Sequence, residues 1–90
     1  MQIVKSKESV ISELKSTEIK ELILYNDDFN TFDHVINSLV EICGHETIQA
    51  EQCAFIVHYK GKCIIKKGVF KELLVYKNAL QQRNLTVAIN

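Results

Sequence analysis

Asn26, Asp27 and Asp28 bring an amide and two carboxylates to one point of the chain. They follow an apolar run, Leu22, Ile23 and Leu24, and they precede Phe29, Asn30 and Thr31. Acids so placed can cap a turn, ligate a metal, exchange protons or hold a cation. Acid–base work needs a cleft and separated environments that push two proton affinities apart, and nothing in the sequence supplies either. A calcium loop needs oxygen ligands at regular spacing, which two adjacent acids lack. A capped turn and a cation site remain open.

His58 falls at helical spacing from Ala54 and Val57. A histidine there is either a boundary residue of a core or a neutral acceptor for a cation or amide. Two further histidines, His34 and His45, lie inside and just after the preceding helical pattern. Cys43, Cys53 and Cys63 are odd in number and contain no CxxC, so a disulfide framework is not expected. They read as free buried thiols that behave as small hydrophobes. Cys43, His45 and Cys53 make an incomplete zinc set, because structural zinc takes four ligands in recognisable pairs; no metal and no cofactor is expected. With three glycines, and without G-x-S-x-G or H-E-x-x-H, the chain has neither a phosphate loop nor a catalytic signature. The residues make no sharp case for catalysis.

The elements that must position these groups follow from apolar periodicity. KELILY, residues 20–25, reads as a short strand that stops at the turn formers Asn26, Asp27 and Asp28. Val35, Ile36, Leu39, Val40 and Cys43 then recur at spacings of three and four, which is a helix. Asn30 or Thr31 can cap it, Asp33 suits its first turn, and Gly44 ends it. A second helix starts near Thr47, carries Ala50, Cys53, Ala54, Val57 and His58 on one side, and closes at Gly61. KCIIKKGV, residues 62–69, reads as a strand with an irregularity near Lys66, Lys67 and Gly68. A third helix runs from about Phe70 to Arg83, and LTVAI, residues 85–89, is a last strand. The order β-α-α-β-α-β predicts a two-layer α+β domain, three helices packed on a three-stranded antiparallel sheet. Residues 1–18 mix charge, serine and scattered aliphatics and read as a flexible N-terminal arm, although Val10, Ile11 and Leu14 can mark a short helical face. The core is therefore residues 19–90.

Eleven basic residues balance eleven acidic ones in a chain of 90 residues. Zero net charge argues against bulk nucleic-acid binding, which draws on clustered positive charge, and against attraction to anionic lipid. No apolar stretch approaches the roughly 20 residues that span a bilayer. The first residues, MQIVKSKESV, lack the long apolar core of a signal peptide. A cytoplasmic monomer is expected.

LYNDDFNTFDHV, residues 24–35, resembles the ClpS family of adaptor proteins, whose motif is an apolar strand, N-D-D, an aromatic and then a helix. VHYKGK, residues 57–62, resembles that family's V-H-Y-x-G-K, and GVF, residues 68–70, matches the opening of its last helix. The resemblance covers about residues 20–90. It implies an adaptor, not an enzyme, that binds the free N-terminus of proteins beginning with Leu, Phe, Tyr or Trp. The adaptor passes them to a Clp-family AAA+ unfoldase, ClpA- or ClpC-like, for degradation by ClpP. The rival reading is an interaction domain of the same fold that does not recognise such N-degrons.

By the same resemblance, Asn26, Asp28 and His58 accept from the substrate's α-ammonium. Asp27 shapes the acidic loop, and Asn30 stands where the family often has a threonine that touches the peptide backbone. Leu24, Phe32, Val35, Ala54, Val57 and Leu85 form the apolar pocket. Burying a Leu or Phe side chain there is worth roughly 1.5–3 kcal/mol, and an unpaired buried donor would cost about 1–3 kcal/mol. The sequence departs from the family at Phe32 and Ala54, both commonly methionine. The lost bulk at Ala54 deepens the pocket, or Phe32 fills the space. Two residues look inserted around Ile65 to Lys67. Glu72 and Lys77, on the last helix, are the implied unfoldase contacts, and the arm would assist delivery.

Overall fold

The computed structural model describes residues 7–90 and contains α1 (Lys7–Lys15), β1 (Ile19–Tyr25), α2 (Phe32–Cys43), α3 (Thr47–Lys60), β2 (Lys62–Val69), α4 (Phe70–Gln82) and β3 (Thr86–Ile89). The apolar run of the first strand takes the centre of the sheet, which has the order β2-β1-β3 with both pairings antiparallel. Leu22 and Leu24 are fully buried and join Leu39, Leu73 and Leu80 in the core between sheet and helices. Strand alternation turns Ile23 to the other face, where it lies between Ile64 and Ala88 on its two neighbours. The predicted two-layer α+β core of three helices on a three-stranded sheet is thus present, with a fourth helix preceding it.

That fourth helix falls within residues 1–18, expected as a flexible arm in which Val10, Ile11 and Leu14 can mark a short helical face. Residues 1–6 lie outside the described residues. Lys7–Lys15 is helical and lies against α4. Val10, Ile11 and Leu14 supply its apolar side at spacings of three and four, yet each remains more than a third exposed, at 40%, 41% and 37%. The contact is shallow.

Both ends of α2 and the C-terminal end of α3 have a local cause. Thr31 Oγ1 accepts from the His34 N–H at 3.1 Å and caps α2. Gly44 and Gly61 end α2 and α3 in the left-handed region, at φ 70° and 90°, which L-residues with a Cβ seldom occupy. Near Ile65, in the stretch where two residues look inserted, the register shifts by one: Leu22 pairs with Lys66 and Ile23 with Ile64, leaving Ile65 unpaired in a β-bulge. The extra residue turns Ile65 into the core, 6% exposed. His45 Nε2 donates to the Ile65 carbonyl at 2.8 Å. His45 is buried, and its Nδ1 has no hydrogen-bond partner among the described residues.

The cysteines are free: Cys43 and Cys53 are buried and Cys63 is half-buried. Burial pushes the Cys53 thiol well above the ordinary range, and the neighbouring Cys63 and Cys43 push the same way. Burial also raises Cys43, against the pull of Lys66. Among the described residues no group of three or more His, Cys, Asp or Glu side chains is arranged to hold a metal ion. No helix among them is long and apolar enough to cross a membrane.

Candidate functional site

Where β1 ends, the chain must turn out of the sheet and enter α2, and a cleft of about 330 Å³ opens there. That volume is in the range of small-ligand sites. Its walls come from four places in the chain. Leu24 and Tyr25 end β1; Phe32 and Val35 start α2; Ala54 and Val57 come from α3; Leu85 precedes β3. Asn26, Asp27, Asp28, Asn30, Thr31 and His58 form its polar lip. Every residue assigned above to the α-amino clamp, the acidic loop and the apolar pocket therefore lines one cleft.

The lip divides into groups committed to the protein and groups that are not. Asp27 is committed. Its Oδ1 accepts from the Phe29 N–H at 2.9 Å and the Asn30 N–H at 2.8 Å, and its Oδ2 accepts from Asn30 Nδ2 at 2.7 Å. Partial burial works to raise its pKa; these bonds, helped by His34, outweigh it and hold the carboxyl below its ordinary value. Asn30 Nδ2 also donates to the Asn84 carbonyl at 2.9 Å, so this amide braces the loop instead of standing free.

Asn26, Asp28 and His58 are different. All three are exposed, and their side chains have no hydrogen-bond partner among the described residues. The Asn26 N–H is anchored to the Gly61 carbonyl at 2.9 Å, which ties the lip to the end of α3. An amide oxygen, a carboxylate and an imidazole thus surround the mouth of an apolar cleft with their acceptors unspent. Such a constellation can hold a cationic donor whose attached side chain is apolar.

Two contacts hold the far wall. His34 Nε2 donates to the Arg83 carbonyl at 2.8 Å, and Arg83 pairs with Glu41 at 2.6 Å. With Asn30 they fasten the turn before Leu85 onto α2, where Asn84 takes φ 65°. This brace was not legible from sequence, since its partners lie 49 and 54 residues apart. Also missed were Tyr25 and Thr31 as lining residues and the aromatic rim of α3. For the rim a signal existed: Phe55, His58 and Tyr59 are spaced three and four apart, on one helix face.

Glu72 and Lys77 lie away from the cleft. Five residues apart on α4, they point about 140° from one another. Glu72 is exposed, while Lys77 is half-buried in a second groove shared with α1 and the end of β3.

A small α+β core carrying an uncommitted acceptor set over an apolar cleft defines a binding module, and comparison with known proteins agrees. Residues 15–87 match the family model of the ATP-dependent Clp protease adaptor protein ClpS. The ClpS adapter of Salmonella gallinarum is 38% identical over 63 residues, 70% of this chain and 58% of that protein. The ClpS adapter of Nostoc is 38% identical over 69 residues, 76% of this chain and 71% of that protein. Against the Salmonella relative the chain therefore spans less than two thirds of the length. Among solved structures, Agrobacterium tumefaciens ClpS2 bound to L-phenylalaninamide superposes with a TM-score of 0.69, covering 83% of this chain and 98% of that one at 11% identity, a likeness of fold. The chain belongs to the ClpS family, whose members are non-catalytic adaptors.

Proposed function

We propose that this protein binds the free N-terminus of proteins whose first residue is large and hydrophobic, and delivers them to a Clp-family AAA+ unfoldase for degradation. The observation that carries the reading is the uncommitted set Asn26, Asp28 and His58 at the mouth of the apolar cleft. An α-ammonium has three donors and one positive charge. Asp28 supplies the opposite charge, Asn26 an oriented amide oxygen, and His58 an acceptor when its imidazole is neutral. The first side chain then enters between Leu24, Val35, Ala54 and Val57. Asp27 and Asn30 keep the lip in shape and are not ammonium ligands. The bound phenylalaninamide of the Agrobacterium ClpS2 carries such an amine and side chain. The protein acts in the cytoplasm as a monomer, and α1 with the residues before it serves delivery.

Fluorescence anisotropy tests this with short labelled peptides that begin with Leu, Phe, Tyr, Trp or Ala, each with a free or an acetylated amine. Large first residues bind, and acetylation abolishes binding. Absence of binding by every free-amine peptide would reject the reading and leave a ClpS-fold interaction domain.

A further inference from the structure

Four rings close a circuit at one side of the cleft mouth. Phe32 meets Phe55 at 5.4 Å between centroids and His58 at 5.2 Å, tilted by 44° and 53°. Phe55 stacks on Tyr59 at 6.3 Å with an interplanar angle of 6°, and Tyr59 meets His58 edge-on at 4.9 Å. Three of the rings stand on one face of α3. The fourth, Phe32, is the first residue of α2 and a lining residue of the cleft. Phe55 and Tyr59 are 54% and 76% exposed, so the core does not require them, and neither lines the cleft.

We propose that Phe55 is a positioning residue that sets specificity: it holds the Phe32 ring across the mouth and thereby limits the width of the first side chain that enters. The inference rests on the cleft being the site of the substrate's first residue. An unsupported Phe at a helix start is free to change rotamer. Here the Phe55 and His58 rings of α3 both lie against it, at 5.4 and 5.2 Å between centroids, and restrict that freedom. Phe32 packs against His58 at 5.2 Å and lines the same cleft, so a first residue whose α-amine is held by His58 brings its Cβ, two bonds from that amine, beside the ring. Leu, Phe, Tyr and Trp carry one heavy substituent on Cβ, whereas Val and Ile carry two. A fixed Phe32 therefore penalises width at Cβ, while small Ala54 leaves depth beyond it.

The test has two arms on the full chain. In the first, without peptide, the aromatic proton shifts of Phe32 are measured by NMR in wild type and Phe55→Ala. Loss of ring-current displacement is expected, and unchanged shifts would overturn the positioning. In the second, anisotropy gives the Leu-to-Val affinity ratio for otherwise identical free-amine peptides. Phe55→Ala lowers the ratio by about 3–10-fold, the equivalent of one aromatic contact, and Phe55→Leu lowers it less. Sensitivity to acetylation stays intact. An equal loss for both peptides, or an unchanged ratio, overturns this inference alone. Failure of wild type to bind any free-amine peptide overturns the reading of the cleft and this inference with it. Phe55→Leu keeps the apolar bulk, so it carries the test if the alanine variant does not fold.

Discussion

At the scale of single residues, the two adjacent acids have opposite duties. Asp28 is free to meet a ligand, and Asp27 is spent on its own loop. Hydrogen bonds to a charged group are worth about 1.5–3 kcal/mol, so Asp28→Ala weakens free-amine peptide binding by roughly 10–100-fold. It leaves the melting temperature nearly unchanged, and anisotropy with thermal melts separates the two effects. Asp27 acts through stability instead. Its folded pKa lies below the ordinary value of about 3.9. The stabilisation it adds is full above that value and is lost as pH falls through the lowered folded value. Denaturant titrations from about pH 5 down to about pH 2 therefore show a steeper loss for wild type than for Asp27→Asn. The buried thiols make a third expectation. With Cys43 and Cys53 raised by burial, a thiol reagent on native protein at neutral pH modifies these two slowly, and they react quickly only after unfolding.

At the scale of elements, the ends of the helices matter more to the site than their middles. Gly61 terminates α3 at φ 90° and its carbonyl holds the Asn26 N–H. No atom lies within 4 Å of a Cβ built there, so a substitution meets strain from conformation and not from crowding. Gly61→Ala is expected to cost about 1–2 kcal/mol and to weaken peptide binding as well, because the lip moves with the helix end. Chemical denaturation and anisotropy on the same variant measure both.

At the scale of the whole molecule, the cleft exists only when β1, α2, α3 and the turn before β3 are packed together, so ligand and fold are linked. A free-amine Leu peptide at about 100 times its Kd stabilises the protein by roughly 2.7 kcal/mol, and its acetylated form does not. Leu80 is fully buried at the centre of the core and does not line the cleft. Leu80→Ala costs about 2–5 kcal/mol, while peptide affinity under folding conditions stays close to wild type. Calorimetric melts with and without peptide check both outcomes.

Local chemistry was legible in the chain itself. The stop of β1 at three turn formers, a cap at Asn30 or Thr31, the glycines that end α2 and α3 and the helical spacings Leu39 to Cys43 and Cys53 to Val57 depend on residues a few positions apart. The sequence determines them wherever the chain lies. Motif resemblance added the proposed clamp set, because Asn26, Asp28 and His58 keep the family's order and separation. Tertiary structure decided what depends on distant partners. It joined Asn30 to Asn84 and His34 to Arg83, which brought Leu85 to the cleft. It spent one aspartate on the loop and left its neighbour free. It set Phe55 against Phe32, and it laid α1 on α4. Periodicity reports which face of an element is apolar, but not which other face it meets, and these contacts are made between faces.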